Sequence, residues 1–164
     1  MGPNTQTQGA NSKISPATSL MLKIPDRPRV LIISDDDSIT RRLNHILLEA
    51  GFVSECAKSI TAGCKSARSG RFQVVLSTPM LADGSWRRLI DIANHYDLNF
   101  VVVLVASTFD LNQWAEALEE GAFDVLDVLH ELPKAAEAAK RALWAAYLKG
   151  AGPSPQVANP PNVA

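Results

Sequence analysis

The sequence predicts an α/β fold, with a five-stranded parallel sheet covered by helices on both faces. Short runs that are apolar throughout, rather than alternating, recur along the chain. Such runs are typical of strands buried on both faces of a sheet. Segments with the apolar period of an α-helix separate these runs. Strands that alternate with helices in this way favour parallel pairing through helical crossovers.

The strand and helix patterns alternate five times between short connecting segments. The predicted strands lie at about residues 29–34, 53–57, 72–78, 100–106 and 123–128. The first helix follows Asp37-Ser38 and ends at Gly51, and the second and fourth end at Gly70 and Gly121. The third spans about 85–96, and the fifth starts near Pro133 and continues to 149. Five such units fit the flavodoxin-like, doubly wound strand order 2-1-3-4-5.

Two helices carry tryptophans on their apolar faces, so we expect these side chains to lie in the core. Trp86 belongs to the face of the third helix that also carries Leu89, Ile90 and Ala93. Trp114 shares a face of the fourth helix with Leu111, Ala115 and Leu118. An amphipathic helix normally buries such a stripe against the sheet.

Composition indicates one globular domain between two polar tails. The chain has 164 residues, a hydrophobic content of 46% and a net charge of −1. Residues 28–150 form the predicted domain, and the proline- and polar-rich segments 1–27 and 151–164 are predicted to be disordered. No basic patch for nucleic acid, no signal peptide and no apolar run of membrane-spanning length stands out. We therefore expect a cytoplasmic protein that binds neither nucleic acid nor membrane.

The informative residues stand where the predicted strands end. Asp35, Asp36 and Asp37 follow the first strand, and Thr78 ends the third. Ala106-Ser107 ends the fourth strand, and Val128 ends the fifth. Ligands of doubly wound sheets bind outside the carboxyl ends of the strands, at the switch between strands one and three. These residues are therefore expected to lie together at one sheet edge.

Over about residues 28–150 the chain resembles the receiver domain of bacterial two-component response regulators. The segment Pro79-Met80-Leu81-Ala82-Asp83-Gly84-Ser85 is similar to the loop after the family's phosphoacceptor, and Gly121–Leu126 is similar to its helix-four to strand-five junction. The resemblance implies acidic residues that hold a divalent cation after strand one. It also implies a phosphorylated aspartate after strand three, a Thr or Ser after strand four and a Lys after strand five.

Most of these family positions are altered in this chain. Ser34 takes the first acidic position, with Asp35 at the second and Asp36 just beyond, and Thr78, or less favourably Ser77, takes the acceptor position. Ala106, with Ser107 beside it, replaces the hydroxyl residue, and Val128 replaces the lysine. The chain is thus predicted to be a degenerate pseudo-receiver. Without an acceptor carboxylate, no cofactor is expected beyond weak Mg²⁺ binding by Asp35 and Asp36; alternatively, the acidic run only caps the first helix.

Three functions remain open at this point. The favoured one is a stand-alone signalling module of a two-component phosphorelay that acts through protein contacts, without aspartyl phosphorylation and without enzymatic activity. A second is a phosphorylatable single-domain regulator with a non-standard acceptor, such as Asp83. A third is a haloacid-dehalogenase-like phosphatase built on Asp35-x-Asp37. That family also needs a Lys and a late acidic pair, where this chain has Ala106-Ser107 and Asp127-Val128.

The fifth predicted helix is apolar on nearly all sides, which exceeds what a helix packed on one side needs. We interpret Trp144, Tyr147 and Leu148 as a partner surface. The partner would be a histidine kinase or another signalling protein, or a second copy in a homodimer through this helix. The alternative is that the C-terminal tail covers the helix.

Overall fold

The computed structural model describes residues 27–151. In chain order, the elements are β1 (Arg29–Ile33), α1 (Asp37–Glu49), β2 (Val53–Ala57), α2 (Ile60–Ala67), β3 (Val74–Ser77), β4 (Met80–Leu81), β5 (Gly84–Ser85), α3 (Arg87–His95), β6 (Val101–Ala106), α4 (Leu111–Glu119), β7 (Asp124–Asp127) and α5 (Ala135–Ala151). A single 3₁₀ turn at Leu132–Lys134 leads into α5. The predicted tails lie outside the described residues, apart from their innermost positions.

The main sheet has five parallel strands in the order β2-β1-β3-β6-β7. When β4 and β5 are left out and the five strands of the main sheet are numbered along the chain, this is the predicted order 2-1-3-4-5. The fold-class prediction is therefore confirmed. The central strand β3 pairs with β1 and with β6, which aligns Ser77 with Ile33 and with Leu104. The carboxyl ends of β1, β3 and β6 therefore meet at one edge.

Helices cover both faces of the sheet and create two separate cores. One core joins α1 and α5 to one face, through residues such as Leu43, Leu47 and Ala142. The other joins α2, α3 and α4 to the opposite face, through residues such as Ile60 and Leu89. Burial on both faces explains why the strands are apolar throughout instead of alternating.

The helix boundaries follow from local signals in the sequence. Asp36, Ser59 and Asp110 each cap the helix that follows them, and Asp110 forms a capping box with Gln113. The third helix begins at Arg87, later than predicted, because Gly84 and Ser85 pair with Leu81 and Met80 in the antiparallel β4–β5 ladder. This ladder shapes the loop that follows β3.

One core prediction is confirmed and the other is wrong. Trp86 is 1% exposed and packs in the core beside α3. Trp114 is 40% exposed, and Leu111 on the same stripe is 78% exposed. The buried residue of α4 is Ala117. α4 packs next to the edge strand β7 through this small residue, and its larger apolar side chains stay exposed to solvent.

Within the described residues, no helix is long and apolar enough to cross a membrane.

Candidate functional site

The predicted site residues do gather at the carboxyl edge of the sheet. The backbone N–H of Thr78 donates to the carbonyl of Ile33 at 3.0 Å, so the end of β3 lies against the end of β1. The N–H of Val128 donates to the carbonyl of Ala106 at 3.0 Å and joins the ends of β6 and β7. A cavity lined by Thr78, Ala106 and Ser107 shows that these positions share one space.

The acidic run after β1 is used mainly to start α1. The Asp36 carboxylate accepts the N–H groups of Ser38 and Ile39, at 2.9 and 3.2 Å, so it serves as the helix cap. Asp37 pairs with Lys58 at 3.1 Å on the surface. Asp35 is exposed. The Ser34 side chain is 3% exposed, and its Oγ accepts the N–H of Asp36 at 3.1 Å.

Thr78 directly follows β3, and the resemblance to receivers predicts the acceptor at this position. Its side chain is partly buried, and its Oγ1 is 3.5 Å from the Ile33 carbonyl oxygen, the limit for a hydrogen bond. Ser77 is 1% exposed and its hydroxyl donates to the carbonyl of Thr78 at 2.8 Å. Neither hydroxyl can form the acyl phosphate that a carboxylate nucleophile forms.

The remaining site positions make the pocket uncharged. Val128 is buried and carries no charge, whereas the receiver pattern has a lysine at this position. The cavity beside Thr78, of about 330 Å³, is lined by apolar, hydroxyl and amide side chains and contains no charged residue in its lining: Ile39, Thr78, Pro79, Met80, Val105, Ala106, Ser107, Thr108, Phe109 and Gln113. Stabilising a transferring phosphoryl group requires fixed positive charge. The lining of this cavity supplies no such charge.

Asp83 in the loop after β3 has a structural partner. Its carboxylate accepts the N–H groups of Ile60 and Thr61, at 2.8 and 2.9 Å, across the first turn of α2. Hydrogen bonds from Thr61, together with the one from Ile60, lower the pKa of Asp83 to about 2. A carboxylate held by the N-terminus of a helix is stabilised in its charged form. Asp83 thus ties the loop after β3 to α2.

Two carboxylates, those of Asp127 and Glu131, make a second set of contacts at the end of β7. Asp127 lies 2.7 Å from His130 Nδ1 and also accepts the N–H of Leu129. Hydrogen bonds, first from the His130 ring and then from the Leu129 N–H, hold the pKa of Asp127 below its ordinary value. Glu131 accepts the backbone N–H of Asp127 at 3.0 Å. These carboxylates line a groove between α4 and β7, which Ala106 and Ser107 also line.

Sequence reasoning missed how unevenly the charge is distributed. Residues 89–133 contain nine Asp and Glu and no Lys or Arg, although the net charge of the whole chain is only −1. This segment runs from α3 through α4 and β7 to the start of the 3₁₀ turn. Charge counted in a moving window would have revealed this acidic segment.

Within residues 27–151, no group of three or more Asp, Glu, His or Cys side chains is placed to hold a metal ion. The Asp36 carboxylate caps α1. Asp35 is the neighbouring carboxylate at this edge of the sheet that has no such capping role. Weak Mg²⁺ binding at Asp35 and Asp36 stays a prediction.

Comparison with solved structures identifies the class of fold. The chain is similar to a signal receiver domain from Vibrio parahaemolyticus, with 18% identity and a TM-score of 0.69, covering 76% of this chain and 95% of that one. The signal receiver domain of an HD domain-containing protein from Pseudomonas fluorescens Pf-5 matches with 21% identity and a TM-score of 0.67, over 77% and 94% of the two chains. A CheY-like response regulator receiver domain from Methanospirillum hungatei JF-1 matches with 22% identity and a TM-score of 0.63, over 71% and 94%.

The domain therefore has the receiver fold. No protein-family model and no curated protein matches the sequence. At these identities the likeness establishes the fold, and the function must be argued from the site.

Proposed function

We propose that this chain is a pseudo-receiver: a signalling module of a two-component system that acts through protein contacts without aspartyl phosphorylation. The observation that carries the proposal is Thr78 at the end of β3, where the receiver pattern requires a carboxylate. The receiver fold supports assignment to two-component signalling, and the uncharged lining beside Thr78 supports the loss of phosphoryl chemistry. The proposal includes no enzymatic activity.

The neighbouring carboxylates are poor substitutes for the missing acceptor. Asp36 caps α1 and Asp83 caps α2, so phosphorylation of either would remove a helix cap. Phosphorylation at a non-standard acceptor is therefore disfavoured. The phosphatase alternative gains no support either, because Asp37 is paired with Lys58 on the surface and Ala106 and Val128 supply no charge.

Output through contacts requires a surface, and α5 offers one. Trp144 and Leu148 are 42% and 59% exposed on the outer side of the helix, whereas Tyr147 packs partly against the core. We propose that the outer side of α5 contacts a histidine kinase, another signalling protein or a second copy of the chain.

Beryllofluoride, a mimic of the acyl phosphate, tests the proposal. With Mg²⁺ present, it should leave the backbone amide spectrum around Thr78 and Ser107 unchanged. Thr78→Asp should restore Mg²⁺ binding, because it returns a carboxylate opposite Asp35. Adding Ala106→Thr and Val128→Lys should permit beryllofluoride binding, since these groups stabilise the charge on the bound group.

Two results would contradict the proposal. One is a saturable response of the wild-type protein to beryllofluoride. The other is a folded triple variant that gains no Mg²⁺ affinity, because the alignment of β3 with receiver sites would then be wrong.

A further inference from the structure

A small cleft opens at the amino edge of the sheet, at the end of the domain opposite Thr78. It has a volume of about 270 Å³ and lies between α3, the start of β6 and the junction that follows α4. Ile90, Ala93 and Phe100 form its apolar part, and we call it the amino-edge cleft. Because ligand sites of doubly wound sheets lie at the carboxyl edge, the amino-edge cleft is separate from the candidate site.

The charges around the amino-edge cleft balance one another. The Glu120 carboxylate accepts a hydrogen bond from Arg87 Nε at 2.7 Å, so these two charges offset each other. Glu119 and Lys149 also line the cleft and contribute one charge of each sign. A charged occupant would leave a charge without a partner in a partly enclosed space, which is costly, so a neutral occupant fits better.

The end of α5 lies beside this cleft. Lys149 lines it, its amino group is 3.4 Å from the Phe100 carbonyl oxygen, and α5 ends two residues later at Ala151. A Cβ added at Gly150 would lie 2.8 Å from Asn99 Nδ2, so the backbone at the helix end lies close to the residue that precedes Phe100. The residues after Ala151 therefore start next to the amino-edge cleft. A short connection gives an effective concentration in about the millimolar range, so contacts that are weak between separate molecules form within one chain.

The segment that follows α5 matches the cleft in its chemistry. Residues 152–164 contain four prolines, two valines and no Asp, Glu, Lys or Arg. Pro153, Pro155 and Val157 occupy alternate positions, and alternate side chains of an extended chain lie on one side. These three side chains would meet the apolar part of the cleft while the polar residues between them face water. Prolines also restrict the unbound chain, which lowers the entropy cost of binding.

Other occupants fit the amino-edge cleft less well. The N-terminal segment also joins the domain at the amino edge, through β1, but β3 lies between β1 and β6 in the sheet. Its residues nearest the domain include Lys23, Asp26 and Arg27, whose charges would have to enter a neutral cleft. A helix of a partner protein is about 10 Å wide with its side chains, which is too wide for a space of this volume.

We propose that residues 153–157 bind in the amino-edge cleft of their own domain, with their two prolines and their valine against its apolar part. The bound segment would tie the end of α5 to α3 and to the residues after α4. It would also turn away from the outer side of α5, which leaves Trp144 and Leu148 free for a partner. The inference goes beyond the proposed function, because it does not depend on the chemistry at Thr78.

A spin label on the full chain tests this placement. Gln156→Cys carries the label, Cys56→Ser removes the exposed native thiol, and Cys64 is buried. The label should reduce the methyl signal of Ile90 several-fold relative to the same protein with the label reduced to its diamagnetic form. The methyl signal of Ile39, beside the cavity at the carboxyl edge, should keep its intensity and serves as the control.

Substitutions within the segment test which residues bind, and they leave the packed core unaltered. Pro153→Ser/Pro155→Ser/Val157→Ser should restore the Ile90 signal, because it removes the apolar contacts. The matched control makes the same three changes at the prolines and the valine of residues 160–163, and it should leave the Ile90 signal reduced. Because the bound residues carry no charge, the reduction should also persist at high salt.

Several results would overturn the inference. An Ile90 signal that the label does not reduce, or that the triple variant does not restore, would show that these residues do not bind in the cleft. A larger reduction at the Trp144 indole than at Ile90 would place the segment over α5. Signal loss in a mixture of spin-labelled protein and isotope-labelled protein without a spin label would assign the segment to a second copy. Recovery of the Ile90 signal on addition of a peptide of residues 1–26 would assign the cleft to the N-terminal segment.

Discussion

Helices α4 and α5 pack on opposite faces of the main sheet, and they use their apolar residues in opposite ways. α5 buries five alanines and a leucine against the sheet: Ala135, Ala138, Ala139, Ala142, Leu143 and Ala146. α4 buries Ala117 and exposes Leu111 and Trp114. Small side chains bring α5 close to the sheet along its length, whereas α4 leaves its largest apolar side chains exposed. Apolar content alone therefore does not show which side of a helix faces the core.

The largest expected effect comes from charging the buried side of α5. Ala142 is fully buried, so Ala142→Asp would place an unpaired carboxylate in the core and should reduce the free energy of unfolding by about 4 kcal/mol or more. On α4, Ala115 is exposed, and Ala115→Asp should cost less than about 1 kcal/mol. Urea unfolding of both variants measures the contrast. Similar losses in the two helices would refute the difference in packing.

The next effect concerns α2, which packs on the same face of the sheet as α4 but much more closely. A Cβ added at Gly63 would lie 2.8 Å from Ile33 Cγ1 and closer still to Cδ1, so Gly63→Ala should destabilise by roughly 1–3 kcal/mol. Adding Ile33→Val removes the Cδ1 group and should recover part of this loss. A Gly63→Ala protein as stable as the wild type would show that α2 does not approach β1 this closely.

A smaller and pH-dependent effect distinguishes the caps of α2 and α4. α4 is capped by its own Asp110, whereas α2 also uses Asp83 from the loop after β3. The folded-state pKa of Asp83, about 2, is below its ordinary value of 3.8, so its charge stabilises the fold above pH 3.8 and this contribution is lost as the pH falls towards 2. Asp83→Asn should therefore be less stable than the wild type at neutral pH, and the difference should shrink below pH 4. A difference that stays constant under acid conditions would contradict this cap.

The smallest effect on stability is expected on the outer side of α5. Trp144→Glu should change the free energy of unfolding by less than about 0.5 kcal/mol, because the side chain is exposed. The same variant should reduce self-association or partner capture, and Leu48→Glu on α1 should not. Sedimentation and pull-down of the folded variants provide the measurement. If Trp144→Glu is folded and binds as the wild type does, the partner surface lies elsewhere.

The sequence predicted the fold well because strand burial and helix capping are local signals. Apolar runs placed all five strands of the main sheet, and Gly121 marked where α4 ends. The start of α1 was predicted too late, because the helix begins at Asp37 itself and not after Asp37-Ser38. The orientation of α4 could not be predicted in this way. Its apolar stripe is a genuine helical period, but β7 is an edge strand, and the periodicity of one helix does not show where the sheet ends.

The sequence predicted where the candidate site lies in the fold, but it did not predict the contacts that the side chains make there. Motif spacing placed Thr78, Ala106 and Val128 at one edge, since parallel strands end together. The role of Asp83 depends on N–H groups 22 and 23 residues away in sequence, so only the folded chain reveals it. The acidic segment was visible in the sequence, but the net charge of −1 concealed it.

The central claim is that this receiver fold works without an acyl phosphate, and mass spectrometry tests it most directly. Incubation of the full chain with acetyl phosphate and Mg²⁺ should leave the intact mass unchanged, because β3 ends in Thr78 instead of a carboxylate. A stoichiometric adduct of about 80 Da that is stable to acid and labile to base, as expected for an added phosphoryl group on a carboxylate, would contradict the account. Its location at Asp35, Asp36 or Asp83 would then identify the true acceptor.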